Sequence, residues 1–268
     1  MKEKWIDQLL SFISFNNRFE RIWKIAQVDF KRRYYNDKLG LAWALLNPLF
    51  TVSIYYYVFT KILNRVSEGI NNYAIFLFSG IIFWMAFVEM MRKGMATLLQ
   101  KRYIIQNIKV NKEDLYISTS ISITFALFFN IIAYLFMVIL FGGNISMKIF
   151  FLPLLIANVF LLGTGIGMLL SIIYLYMRDL SHLIDILIML GFWTSGIFFK
   201  AELIKEKAIL LYYLNPFIGI IDNVRKITLY NEHPNLITMN INIVVGIFVY
   251  IVGFRVMKKN SNSAMERL

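Results

Sequence analysis

Few residues in this 268-residue chain have the types and spacing that covalent chemistry needs. The two histidines, His182 and His233, lie far apart, and cysteine is absent. Neither an imidazole pair nor a thiolate site for a metal can be drawn from them. The one adjacent acidic pair, Glu113-Asp114, lies in a basic stretch, and no paired carboxylate motif accompanies it. A base or metal site at a membrane face, as a membrane-embedded glycosyltransferase requires, is therefore missing. No Gly-x-x-x-x-Gly-Lys-Ser/Thr loop occurs, nor any Gly-Lys dipeptide, so no phosphate loop of that kind is present. The densest polar group is Arg178-Asp179 followed by His182 and Asp185. It reads either as interfacial charge or as part of a relay. A proton relay places ionisable groups deep in spans, and only Glu89 and Asp185 come close, both near span ends. A secondary transporter would also show an internal repeat, and none is evident.

Aromatic side chains are the more suggestive resource: 24 Phe, 15 Tyr and 5 Trp. Tyr55, Tyr56, Tyr57 and Phe59 form one cluster, and Phe192, Trp193, Phe198 and Phe199 another. Aromatic faces stack on the apolar faces of sugar rings, and tyrosine hydroxyls bond their edges, so the clusters could form a track for a glycan. Aromatic belts at the two membrane interfaces, or a genome biased toward A and T, would raise the same counts.

The elements that must position these residues follow from composition. Hydrophobic residues make up 59% of the chain and charged residues 16%, and the mean hydropathy is +0.62. Soluble domains are about 45–50% apolar and about 25% charged, so a soluble enzyme and a disordered chain are both excluded. The net charge of +12 fits basic loops facing anionic lipid headgroups rather than nucleic acid.

Stretches free of Asp, Glu, Lys and Arg run over Leu39–Thr60, Ile70–Val88, Leu115–Met147, Ile149–Met177, Ile186–Phe199, Ala208–Ile221 and His233–Phe254. A crossing helix needs about 20 apolar residues, and five stretches meet this easily. Leu183–Phe199 is a minimal span if Asp185 sits among headgroups. Ala208–Ile221 carries Asn215-Pro216 in its middle, and proline disrupts the preceding turn. It is expected to dip into the outer leaflet as a helix–turn–helix without crossing. The expectation is an all-α membrane protein with six transmembrane helices, both termini cytoplasmic, and re-entrant external helices between the fifth and sixth spans. Residues 1–38 form a cytoplasmic N-terminus, 39–258 the six-span domain and 259–268 a cytoplasmic tail. Lys and Arg number nine before the first span, six in the loop after the second, one after the fourth and four in the tail, against eight in the three outer loops. That bias puts the termini inside. About 38 mixed residues precede the first span, which does not read as a signal peptide.

Several segments could carry function. Over Arg18–Tyr35, Phe19, Ile22, Trp23, Ala26, Phe30 and Tyr34 follow helical spacing. This predicts an amphipathic helix on the inner surface, either a plain anchor or a docking face. In Leu39–Leu49, Gly40 permits a tight bend into the membrane; Pro48 marks a packing kink or a helix shaped to line a pathway. Arg92–Asp114 reads as a basic loop, solvated or holding a short flat helix that a partner could push. Gly163, Gly165 and Gly167 permit close helix packing mid-membrane.

The order of these features resembles the membrane subunit of type-2 ABC exporters, in the family that exports O-antigen, capsule and teichoic acid. The resemblance covers about residues 18–258. It is carried by Lys31-Arg32-Arg33-Tyr34, Leu39-Gly40, Trp43, Leu46-Asn47-Pro48, Arg178-Asp179-Leu180, Ser195-Gly196-Ile197, Asn215-Pro216-Phe217 and Arg225. Glycine stands at 196 where the family often has proline, which suggests a softer kink. The resemblance implies a homodimer with two copies of a separate ATPase subunit in the bacterial cytoplasmic (inner) membrane. ATP and Mg would then be bound by the partner and no cofactor by this chain, which would itself be no enzyme. Phe30, Lys31, Arg32, Arg33, Tyr103, Ile104, Asn107, Arg178 and Asp179 would couple to the ATPase. Trp43, Tyr56, Phe59, Phe192 and Trp193 would line the conduit, and Phe198, Asn215, Pro216 and Arg225 would form the external gate. The implied cargo is a polyprenyl-diphosphate-linked polysaccharide; a type-2 exporter of a small drug or lipid is the alternative.

Overall fold

The computed structural model describes residues 18–34, 38–63, 70, 72–107, 110–143 and 145–265. Among them there is no strand. The helices are α1 (Arg18–Tyr34), α2 (Ala42–Tyr57), α3 (Tyr73–Gln100), α4 (Arg102–Asn107), α5 (Lys112–Leu140), α6 (Leu152–Tyr176), α7 (Leu180–Thr194), α8 (Ala201–Lys207), α9 (Ile209–Leu214), α10 (Pro216–Thr228) and α11 (Leu236–Met265). A π-helical turn, Val58–Ile62, extends α2, and a 3-10 turn, Met147–Phe151, leads into α6.

Among the described residues, five helices are long and apolar enough to cross a membrane: Ala42–Ile62, Tyr73–Gln100, Lys112–Leu140, Met147–Tyr176 and Leu236–Ser261. The protein is an integral membrane protein. The 15 residues of α7 rise only about 22 Å, short of the roughly 30 Å hydrocarbon layer. The chain from α7 into the turn that follows it runs alongside α3. It starts beside α3's last third, where Arg92 meets Asp185 at 2.7 Å, and runs on to where the Tyr73 hydroxyl donates to the Phe198 carbonyl. The chain thus alternates between two ends. One carries α1, the close of α3 and the start of α5; here Lys112 reaches Ser261 near the close of α11. The other, the far end, carries α8, α9 and α10.

The bundle is centred on α3 and α6, and glycines let its helices touch. A Cβ on Gly94 would lie 2.8 Å from the Gly167 Cα, and one on Gly163 would lie 2.7 Å from the Met90 Cβ. One on Gly165 would meet the Tyr250 Cα on α11 at 2.7 Å. Gly163 and Gly167 therefore face α3, while Gly165 faces α11, which is the packing role expected of this stripe.

One sequence expectation changes. Arg92–Asp114 is mostly helix rather than loop. The α3 helix continues past its first charges because Met90, Met91, Met95 and Leu98 keep one face buried, while Glu89, Arg92 and Lys93 find ion-pair partners. The α11 helix continues through the tail expected from 259, as far as Met265. Ala208–Ile221 takes the expected helix–turn–helix form, α9 and α10 meeting at Asn215-Pro216: Asn215 caps α10, its Oδ1 accepting the Phe217 N–H at 3.0 Å, and Pro216 takes the first turn, where no donor is needed.

Candidate functional site

At the α1 end, the surface helix is clamped to the bundle. Its apolar stripe packs on α5: Ile22 and Ala26 are buried, Trp23 meets Phe125 edge-on at 5.2 Å, and Phe30 lies between Phe125 and Phe129. Its polar side is pinned by charge. Arg18 and Arg21 reach Asp114 at 2.7 and 3.0 Å. Asp29 holds Lys101 at 2.6 Å, and Arg33 pairs with Glu89. The Asp114 carboxylate, by hydrogen bond and charge, raises the Arg18 pKa. Among the residues expected to couple to a partner, Lys31, Arg32, Tyr103, Asn107, Arg178 and Asp179 are exposed and Ile104 is half-buried. Phe30 and Arg33 point inward instead, because α5 offers an aromatic face and α3 a carboxylate. Asn107 donates to the Tyr103 carbonyl and steadies α4. Gly40, in the left-handed region at φ +49°, makes the bend into α2 that its position suggested.

Midway to the far end, α2 and α7 meet through aromatics. Phe198 stacks on Phe59 at 5.0 Å and on Trp193 at 4.7 Å, and meets Tyr55 at 5.1 Å. Tyr55 also contacts Phe192 at 5.5 Å. The structure therefore brings Phe59, Phe192 and Trp193 together and adds Tyr55, which the sequence reading left outside its conduit set. Helical spacing held the signal: Pro48, Val52, Tyr55 and Phe59 form one stripe, whereas Tyr56 lies off it and is exposed. Phe198 is 1% exposed, so this expected gate residue sits inside the aromatic cluster rather than at an opening. Trp43 lies elsewhere, beside Asn47, Pro48 and Glu89 around a small cavity.

The far end is closed by α10, in which every residue but Pro216 and Lys226 is buried. Its Arg225 side chain is 2% exposed. The guanidinium donates to the carbonyls of Gly196 (2.8 Å), Ile197 (2.7 Å), Phe199 (3.3 Å) and Phe76 (3.2 Å), and to the Ser79 hydroxyl (3.2 Å). It lies 3.4 Å above the Phe76 ring. No carboxylate is among these partners. Burial pulls the Arg225 pKa down to about 10, which still leaves the group charged at neutral pH. Three of the four accepting carbonyls belong to the turn after α7, where Gly196 has φ +79°. Proline, fixed near φ −65°, cannot adopt that conformation, so this is a left-handed turn and not a softened proline kink. Asn215 adds a second tie, its amide donating to the Thr194 carbonyl, and Asn242 donates to the Pro216 carbonyl. Phe217 packs on Phe87 at 4.5 Å and on Trp84 at 5.1 Å. Asn215 and Arg225 thus both tie α10 to residues 194–199; Ser79 and Phe76, which bond Arg225, and Tyr73, which bonds the Phe198 carbonyl, are partners that sequence reasoning missed.

Residues 20–229 match the profile of the ABC-2 type transporter family. The chain belongs to that family. Two relatives, both O-antigen export system permease protein RfbA of Klebsiella pneumoniae, are 26% and 27% identical over 252 residues, which is 90% of this chain and 92% of theirs. The protein of that name from Myxococcus xanthus is 22% identical over 213 residues, 78% of this chain and 79% of its own. The ABC-2 match extends from α1 through α10, so it takes in the clamped surface helix and the Arg225 closure alike.

Proposed function

We propose that the protein is the transmembrane subunit of an ATP-driven exporter that moves a polyprenyl-diphosphate-linked polysaccharide, of the O-antigen, capsule or teichoic acid kind, across the bacterial cytoplasmic membrane. The observation that carries this reading is the similarity to O-antigen export permeases along nine-tenths of the chain. The ATP is hydrolysed on a separate subunit, of which two copies serve a homodimer of this chain. The α1 end is cytoplasmic, in keeping with the basic N-terminal segment, and α7 makes the sixth crossing, lengthened by the turn at 195–199. The gate helices α8 to α10 lie on the external side.

The geometry suggests how such a machine works. Closure of the ATPase dimer presses on the exposed residues Lys31, Arg32, Tyr103, Arg178 and Asp179. Ion pairs from α1 to Asp114, Lys101 and Glu89 carry the push into α3 and α5. The outward faces of α2 and α7 are apolar and exposed (Phe50, Ile54, Tyr57, Leu187, Leu190 and Trp193), which suits contact with lipid, a second copy or the glycan's lipid anchor. The chain performs no covalent chemistry; ATP acts by favouring one conformation over another. Purification of the tagged chain from a cell expressing both genes tests the assembly. Two copies of each subunit are expected by native mass measurement, and a chain that never retains a nucleotide-binding subunit contradicts the reading.

A further inference from the structure

We propose that the cavity between α1 and the neighbouring parts of α3 and α5 binds the phosphate of an anionic lipid headgroup. The cavity measures about 390 Å³ and is lined by Asp29, Arg32, Arg33, Lys93, Thr97, Gln100, Lys101, Thr119 and Ser122. Among the described residues, no apolar side chain lines it. Its walls bring four cations together. Against them stand Asp29 in the wall and Glu89 behind it, the latter paired with both Arg33 and Lys93, so among the described residues the cations exceed the carboxylates by two. Lys101 is fixed between Asp29 at 2.6 Å and the Thr119 hydroxyl at 2.9 Å, which holds its charge in place without cost at the moment of binding. Arg32 is exposed at the rim and makes no ion pair among the described residues. A doubly positive, hydroxyl-lined cavity suits a phosphate group.

The position of the cavity, on the cytoplasmic side under the proposed function, points to a lipid rather than a free ion. Arg33 also borders a smaller cavity of about 90 Å³, whose other walls mix Asn47, Glu89 and Asn130 with Trp43, Pro48 and Ile82. Basic pockets between helices at the cytoplasmic headgroup level are where anionic lipids bind. The phosphate could belong to a resident phospholipid or to a prenyl diphosphate. Either way it would sit against the helix that is clamped by Asp114, so its occupancy would set how firmly α1 is held.

The test is a binding measurement on the full-length chain in detergent, with short-chain phosphatidylglycerol, farnesyl diphosphate and inorganic pyrophosphate as separate probes. At least one lipid probe is expected to bind, and Arg32→Glu to weaken it about tenfold or more, while Lys258→Glu, away from the cavity, leaves it unchanged. The tighter lipid probe names the source. Pyrophosphate binding as tightly as both lipids overturns the lipid assignment, and equal binding by Arg32→Glu and Lys258→Glu overturns the site. If Arg32→Glu does not purify as a single species, Arg32→Gln is expected to give a smaller loss in the same direction, and no loss with it is equally contradictory. None of these readouts needs export, so they fail or succeed independently of the proposed function.

Discussion

The two ends of the bundle hold their mobile-looking pieces by different chemistry. At the α1 end, cations meet carboxylates, most of them partly exposed: the side chain of Arg18 is 54% exposed and that of Glu89 24%. At the far end one cation, Arg225, is sealed among carbonyls, a hydroxyl and an aromatic ring. Exposed ion pairs are individually weak, about 0–1 kcal/mol each, and can exchange partners in water. A buried guanidinium has no such freedom, since each displaced carbonyl loses its donor in a place water does not reach. The α1 end is thus built to shift by small steps, and the far end to stay shut until several bonds break together.

Substitutions can break that contrast. The largest effect is expected from Arg225→Met, which leaves the Gly196 and Ile197 carbonyls buried without donors. A loss on the order of 3–5 kcal/mol is expected, read as a large fall in thermal unfolding temperature, and Arg225→Lys should recover little of it because an ammonium cannot span this set of acceptors. A stable Arg225→Met protein would show that the closure is held elsewhere. Gly165→Ala comes next. Its Cβ would press on the Tyr250 backbone, so about 1–3 kcal/mol should be lost, with no loss if α6 and α11 can separate freely. Asp114→Asn is expected to cost about 1–2 kcal/mol, because the two arginines it holds are partly exposed. Its sharper signature is functional: ATP hydrolysis by the complex should persist while export falls, and coupled export at the normal ratio would contradict the clamp. Smallest in stability is Phe192→Ala, on the half-exposed aromatic wall. Export should drop with basal ATP hydrolysis unchanged, and normal export would remove the aromatic track from the account.

The sequence made the helices legible wherever apolar runs exceeded a span, and it made Gly40 and the glycine stripe legible because few other roles suit them. It placed Arg225 with Asn215 through the resemblance alone. It could not show that Arg225 is buried, since a basic residue in an external loop normally reads as solvated. The acceptors that make burial tolerable are backbone carbonyls released by the turn at Gly196, and carbonyls leave no trace in side-chain patterns. Helix ends were less legible for a related reason. Glu89, Arg92 and Lys93 close an uncharged run, but partners distant in sequence, Arg33 and Asp185, let α3 continue. Tyr55 was passed over for its neighbour although the stripe through Pro48, Val52 and Phe59 pointed to it.

Reconstitution of the chain into proteoliposomes, with and without a nucleotide-binding subunit, bears most directly on the idea that the protein is a passage worked from outside itself. Lipid-linked glycan should reach the far side only when both proteins and ATP are present. Transport by this chain alone, or nucleotide hydrolysis by the purified single polypeptide, would contradict the account.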